Sequence, residues 1–451
     1  MAKYHIQTQQ APPRFSPPGK YCLKVDEEQC LKCKHCVRED CPYGFYKKED
    51  GLTSVICNCH HCLYCVESCP AGALYFVINP DYEDLGDDYW TPEIITSNWH
   101  QAETGRIPVS GAGYGGPFVG KGFDDMWTDM SEIVRPTRDG IHGREYISTA
   151  IEIGRKLPCL EFDETGQIIS SIPPFVEVSI PMILTLPDWN IWGKNVLLAL
   201  AKAATALNTI FIMNLKDFDS TFHPYLEHLG FAIGTLEEVN DLPQGVKIVE
   251  VPFSLAEQEK VIKQVHPETI VSVKLPLTPT AKEQTLELVQ QGIGVIHLYA
   301  NDHGQEFAEN PQFIKEVIKD IHFALLKTSQ RDEVTLLASG GIAMAEHVAK
   351  TIICGADGVV LDQVMAVALE CHLCKDCLKG KPCPMEINNI DPNWGAQRVV
   401  NLMGSWHSQL LEVLGAMGMR DVRRLRGELG RAIFYKDVVS EAFANIERVK
   451  I

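Results

Sequence analysis

From about residue 173 the chain alternates short β-branched runs with longer amphipathic ones, the pattern of strand–helix units around a parallel sheet. Eight strands are predicted: VSIPMIL (178–184), TIFIM (209–213), GFAI (230–233), KIVEV (247–251), TIVSV (269–273), IGVIHLY (293–299), EVTLLA (333–338) and DGVVL (357–361). Helical periodicity fills the gaps, as in LAEQEKVIKQV (255–265), AKEQTLELVQQ (281–291) and NPQFIKEVIKDIHFALLK (310–327). The predicted class is α/β, a (β/α)₈ barrel at the compact end of its size range. A doubly wound sheet is the alternative, but Leu184 to Gly193 holds no Gly-rich phosphate loop after the first strand. The most apolar stretch, Val196 to Met213, contains Lys202, Thr205, Asn208 and Thr209, and reads as a buried helix running into a strand rather than a membrane span.

The full chain has 451 residues, 45% of them hydrophobic, which allows two to four domains and excludes disorder. The boundaries expected are an N-terminal arm with a cysteine-rich domain (1–78), a connecting segment (79–172), the barrel (173–370) and a C-terminal cysteine loop with helices (371–451). Fifty-nine acidic residues against 41 basic ones give a charge of -18, the wrong sign for a phosphate-backbone partner. The start, MAKYHIQTQQAPPRFSPPGKY, has no apolar signal-peptide core, so a cytoplasmic protein is expected.

Sixteen cysteines in a reducing compartment point to metal rather than disulfides. Twelve fall into three quartets. Cys30, Cys33, Cys36 and Cys41 form the first, and Cys59, Cys62, Cys65 and Cys69 the second; each is a CxxCxxC run closed by Cys-Pro. Two residues between thiolates let one turn aim three sulfurs at three corners of an iron–sulfur cube, while the fourth reaches the other cube. Cys30, Cys33, Cys36 and Cys69 are therefore expected on one [4Fe–4S] cluster, and Cys59, Cys62, Cys65 and Cys41 on another. The third quartet, Cys371, Cys374, Cys377 and Cys383, suits a self-contained third [4Fe–4S] cluster. Structural zinc is the alternative throughout. Cys22, Cys57, Cys159 and Cys354 stand outside the pattern as plain thiols. Residues 20 to 78 resemble a bacterial two-cluster ferredoxin, with four residues rather than three between Cys36 and Cys41.

In a (β/α)₈ barrel, function sits on the loops after the strands, and phosphate is often held after the seventh and eighth. Here those loops read Ser339-Gly340-Gly341 and Leu361-Asp362-Gln363. Paired glycines let a backbone approach a phosphate closely, though glycines also end strands for steric reasons. Lys274, at the end of the fifth strand, is expected in the barrel mouth beside an anion or flavin, or else as a solvated strand end. Asp302, His303 and Gly304 follow the sixth strand.

VSVKL, the later ASGGIAMAEHVAKTIICGADGV, the cysteine loop CHLC and the tail QRVVNL...LGAMGMRDVRRLRG, with the ferredoxin segment, resemble the FMN-binding synthase domain of the glutamate synthase family. The ferredoxin-fused form is the most similar. The resemblance covers most of residues 20 to 430 and implies a barrel holding FMN, fed by a nearby iron–sulfur cluster, whose reduced flavin converts 2-iminoglutarate to glutamate. By position, Lys274 would lie near the flavin as the catalytic candidate. Ser339, Gly340 and Gly341, with Asp362 after the eighth strand, would mark the phosphate site.

The chain departs from the family at several loops. Asn214-Leu215-Lys216-Asp217 stands where the family has Gly-Glu-Gly-Gly, and Asp302-His303-Gly304-Gln305 replaces Gly-Gly-Thr-Gly. Asp362 replaces Gly-Thr, and an Asp there caps the helix through the N–H groups a phosphate would use. Residue 2 is Ala, so no amidotransferase cysteine nucleophile is expected, and no dinucleotide fingerprint is seen. The run Gly105 to Gly122 reads as a loop or a lid. Arg135 to Glu145 reads as an anion clamp or an interdomain ion-pair network with Asp81 to Asp88. The expected function is an oxidoreductase passing electrons between a partner, either an NAD(P)H-oxidising flavoprotein subunit or a ferredoxin, and a barrel-bound FMN. The alternative is glutamate synthesis with ammonia and electrons from partner subunits.

Overall fold

The computed structural model describes residues 6–36, 41–42, 62–108, 122–129, 146–157, 159–189 and 191–443. Cys57, Cys59, most of the Gly105–Gly122 run and all of the Arg135–Glu145 loop lie outside the described residues.

The N-terminal arm leads into β1 (Tyr21–Val25), which pairs antiparallel with β2 (Leu74–Ile78) from Tyr21↔Ile78 to Val25↔Leu74. The short α1 (Tyr64–Glu67) packs on β2, and Leu23, Cys65 and Leu74 form a small separate core. The connector carries α2 (Pro80–Glu83), α3 (Pro92–Thr104) and β3 (Met126–Thr128). Pro80 and Pro92 sit at helix starts, where a missing N–H costs nothing.

A hairpin of β4 (Ile151–Gly154) and β5 (Phe175–Val178) covers the bottom of the barrel. Thr335, the first residue of a central strand, donates its hydroxyl to the Gly154 carbonyl at 2.8 Å, and a Cβ on Gly358 would stand 2.7 Å from Ile151. The barrel itself is β6 (Met182–Leu184), β7 (Phe211–Asn214), β8 (Leu229–Ala232), β9 (Ile248–Pro252), β10 (Ile270–Pro276), β11 (Val295–Tyr299), β12 (Thr335–Ser339) and β13 (Gly358–Leu361). It is closed and parallel, with β13 returning to β6, so the (β/α)₈ expectation holds. The first predicted strand, 178–184, is divided: Val178 belongs to the hairpin and only Met182–Leu184 to the barrel. Pro181 lies between, with no N–H for a ladder, and its carbonyl accepts from Val359 at 2.9 Å.

The crossovers are α4 (Lys194–Leu207), α5 (Glu259–Val265), α6 (Ala281–Gln290), α7 (Ile314–Lys327) and α8 (Ala345–Cys354). Between β7 and β8 the chain is a 3₁₀ stretch, Ser220–His228, in keeping with Pro224 in its middle. The eighth helix, α9 (Gln363–Ala368), is short, and α10 (Pro392–Ala416) packs on α4, α3 and α8. The last described elements are β14 (Ala432–Phe434), paired with β3, and α11 (Tyr435–Phe443). Val422–Leu425 is a 3₁₀ turn, and Arg426 after it pairs with Asp357 at 2.9 Å. No helix among the described residues is long and apolar enough to cross a membrane.

Candidate functional site

The loop Cys30–Cys36 holds two non-glycine residues in the left-handed region, Lys32 at φ 54° and Lys34 at φ 60°. Such residues are uncommon, and two so close turn the chain sharply enough to face successive cysteines the same way. Cys69 follows α1 and accepts a hydrogen bond from the Ala73 N–H at 3.4 Å. Cys30, Cys33, Cys36 and Cys69 line one cavity of about 180 Å³, walled otherwise by groups such as Leu31, Ala71, Ala73 and Leu74. Four thiols from two runs, an apolar wall and an N–H aimed at sulfur are the donor set that suits an iron–sulfur cluster. Of the other expected quartet, Cys65 is buried in the small core with Cys41 packed against it, Cys62 is exposed, and Cys59 is outside the described residues. Among the described residues no three His, Cys, Asp or Glu side chains are grouped to hold a single ion.

Cys371–Cys377 repeats the backbone of the first loop. Leu373 at φ 55° and Lys375 at φ 56° stand at the third and fifth positions, as Lys32 and Lys34 do. In the second run Leu63, at φ 64°, holds that fifth position as well. Cys371 is buried and accepts from the Leu373 N–H at 3.4 Å. Burial pushes its thiol up to about 12, the Leu373 N–H opposes this, and Cys383, Cys374 and Cys377 lie close enough to add to the rise. A bound cationic centre would reverse that balance and hold the sulfurs as thiolates.

The third loop is fastened on three sides. On the connector side, the Gly86 N–H donates to the His372 carbonyl at 2.9 Å, and the His372 and Trp99 rings lie 5.3 Å apart. On the arm side, buried Glu370 accepts from the Arg14 N–H at 2.9 Å and its guanidinium at 3.2 Å. Toward the barrel, the Lys375 ammonium meets Asp302 at 2.9 Å, and Asn388 accepts from the Gly193 N–H at 2.7 Å while donating to the Ile191 carbonyl at 2.8 Å.

Over β11 and β12 the connector and the third loop fill the barrel mouth. The Tyr89 hydroxyl donates to the Gly341 carbonyl, the Trp90 indole donates to the Asp302 carbonyl at 2.9 Å, and His303 pairs with Asp87 at 2.9 Å. The two glycines of the phosphate-loop expectation meet protein backbone: a Cβ on Gly340 would stand 2.7 Å from the Ala300 and Asn301 carbonyls, and one on Gly341 2.6 Å from Gly304. Asp362 caps α9 by accepting from the Gln363 N–H at 2.6 Å. Burial pushes its carboxyl up to about 6, with the Gln363 N–H opposing and Asp302 adding to the rise.

The other side of the mouth, over β6 to β10, stays open as a cavity of about 110 Å³. Lys274 reaches it as the sequence suggests, bonded to Asp188 at 3.0 Å and 5.1 Å above the Tyr299 ring. Burial pulls its pKa down, but Glu250 and Asp188 outweigh burial and hold the ammonium above its ordinary range. Behind it runs a buried chain that the strand patterns did not single out: Glu250 to His297 at 2.7 Å, and His297 to Ser339 at 2.8 Å. Burial raises the Glu250 carboxyl, but His297, then Lys274, outweigh this and keep it below its usual value. The signal was present in KIVEV and IGVIHLY, where one charged and one ionisable residue interrupt otherwise apolar strands.

Residues 249–420 match the conserved region in glutamate synthase. The chain is 24% identical to an archaeal-type glutamate synthase [NADPH] of Dehalococcoides mccartyi, across 91% of this chain and 94% of that protein. It is 24% identical to the archaeal glutamate synthase [NADPH] of Methanocaldococcus jannaschii, across 93% and 96%. Among solved structures it is similar to a mandelate oxidase with (S)-4-hydroxymandelic acid, with 14% identity, a TM-score of 0.40, and coverage of 67% of this chain and 98% of that one. The family resemblance read from the sequence is borne out.

Proposed function

We propose that this relative of the glutamate synthases is an iron–sulfur electron-transfer subunit of a larger oxidoreductase. In this reading Cys30, Cys33, Cys36 and Cys69 hold one [4Fe–4S] cluster, and Cys59, Cys62, Cys65 and Cys41 a second. Cys371, Cys374, Cys377 and Cys383 hold a third, beside the barrel mouth. The observation that carries it is the recurrence of one left-handed loop backbone at separate CxxCxxC runs, with four thiols around one apolar cavity in the first. Electrons would enter from an NAD(P)H-oxidising flavoprotein subunit or a ferredoxin, since the sequence holds no dinucleotide fingerprint of its own.

FMN is the cofactor that the family resemblance implies for the barrel. In the mouth, the side over β11 and β12 holds Tyr89, Trp90 and backbone, and the side over β6 to β10 is an open cavity beside Lys274, the residue that would lie near the flavin. FMN bound there would supply electron exchange at the mouth, and Lys274 would place a positive charge beside it.

Anaerobic purification with iron and sulfide analysis tests the reading. About 12 iron per chain, reducible and giving [4Fe–4S] spectra, is expected; tightly bound zinc in place of iron overturns it. The second reading, glutamate synthesis with partner subunits, is favoured by likeness to the glutamate synthases over 91% of the chain. It predicts glutamate from 2-oxoglutarate once ammonia and reductant are supplied, and turnover by the chain without partners would replace the first reading.

A further inference from the structure

At the end of the barrel away from the mouth, the chain between β4 and β5 runs out as a hairpin and returns. Its root is fixed: Ile151, Ile153 and Val178 are buried, and the Gly154 carbonyl takes the Thr335 hydrogen bond. Its tip is built as well. Phe162 and Ile168 face each other across an antiparallel bridge, and the Ile169 N–H donates to the Glu161 carbonyl at 2.9 Å. The Asp163 carboxylate accepts from the Thr165 and Gln167 N–H groups, both at 2.8 Å. Yet every residue from Cys159 to Ile169 is exposed, so the hairpin stands clear of the body on both faces.

A hairpin in water has no use for large apolar side chains, but Leu160, Phe162, Ile168, Ile169, Ile172 and Phe175 are all exposed, Phe162 at 56%, Ile169 at 61% and Phe175 at 58%. Together they leave about 600 Å² open, the upper end for the largest patch on an ordinary monomer. Leu160 and Phe162, two apart on one strand, share a face with Ile168, and Ile169 lies on the opposite one. Such a hairpin is marginal alone in water. Pro173 and Pro174 interrupt its returning strand, which blunts open-ended strand pairing and leaves side-chain contact as the way to cover it.

Charge and area select the occupant. Residues 157–178 hold Glu161, Asp163, Glu164 and Glu177 and no Lys or Arg, whereas Arg155 and Lys156 stand at the root, each at the surface beside one carboxylate, Glu333 and Glu152 respectively. The tip is therefore acidic and the cations are at the root. A second copy laid antiparallel across the hairpin brings each tip to the other's root, as a two-fold axis requires. Two such patches bury about 1,200 Å² in all, the lower end for a stable specific interface. We infer that this hairpin is a dimerisation element: two copies of the chain cross their hairpins in a closed two-fold pair that covers Phe162, Ile169 and Phe175 of both. The inference uses none of the paired cysteines and stands apart from the electron path.

The test is sedimentation equilibrium of the full-length anaerobic protein across a concentration series, with iron content measured on the same sample. A monomer–dimer equilibrium that stops at the dimer is expected. Phe162→Glu combined with Ile169→Glu should weaken dimerisation about a hundredfold or more with iron and barrel melting unchanged, since both side chains are exposed. Glu164→Arg should weaken it about tenfold, and adding Arg155→Glu should restore it by exchanging the charges at tip and root. That exchange keeps the inference testable should the double glutamate variant fail to fold. A monomer at every concentration overturns the inference, as do a dimer indifferent to these substitutions, open-ended polymers, and a hairpin covered only by a different protein.

Discussion

The first and third cysteine loops, Cys30–Cys36 and Cys371–Cys377, share a backbone and differ in their surroundings. Around the first, Cys33 is exposed and Leu31 is 70% exposed, and nearby Leu63 and Tyr64 face solvent. Around the third, Cys371 is buried, and arm, connector and barrel each grip the loop. One conformation thus serves at a surface, where another molecule can approach it, and inside a frame, where it cannot move. On the function proposed above, the first loop would be the one that meets a partner, and the third would hold a fixed position beside the mouth.

The sharpest way to break that contrast is to remove one sulfur from each. Cys371→Ser should cost about four iron and lower the melting temperature of the barrel, whereas Cys69→Ser should cost about four iron and leave barrel melting in place. Iron analysis with near-ultraviolet thermal melts reads both, and equal loss of barrel stability would erase the distinction. Next comes the frame itself. Arg398 is fully buried, and burial lowers its pKa to about 10 while Glu370 opposes that fall. Glu370→Gln leaves Arg398 and Arg14 without their carboxylate and should cost about 3–5 kcal/mol in denaturant unfolding.

A smaller effect sharpens the contrast by pH. His407 is buried, with its Nε2 3.0 Å from the Thr149 hydroxyl, which itself donates to the Ser179 carbonyl at 2.8 Å. The neutral ring therefore donates from Nε2, and burial lowers its pKa to about 4. A lowered histidine pKa means that the unfolded chain takes up the proton first, so stability is intact above pH 6.5 and falls as pH drops from there to about 4. The loss should reach about 3 kcal/mol, and His407→Gln should flatten that part of the unfolding curve.

Much of the barrel was legible because parallel strands buried on both faces read as short β-branched runs. DGVVL and TIVSV are found almost where the pattern puts them. The first strand was overextended, since VSIPMIL hides a change of sheet at Pro181 that apolarity does not reveal. Cysteine spacing brought Cys69 to the wall shared with Cys30, Cys33 and Cys36, because two residues between sulfurs restrict the turn. The mouth was less legible. Lys274 could be placed from its strand end, but Tyr89, Trp90 and Lys375 come from remote segments, and no local pattern says that they fill the space above Gly340–Gly341.

The N-terminal arm ties together parts of the chain that lie far apart in sequence. Gln9 and Asn401 exchange hydrogen bonds across 392 residues, the Arg398 guanidinium holds the Ala11 carbonyl, and the Trp394 indole holds that of Pro12. The arm is held from the other side by α3, where the Ala11 N–H donates to the Glu103 carbonyl at 2.9 Å and the Gln10 amide to the Glu103 carboxylate at 2.8 Å. The arm is therefore a staple between distant parts of the chain, and a proteolytic cut just after it should leave it bound to α3 and α10 rather than release it.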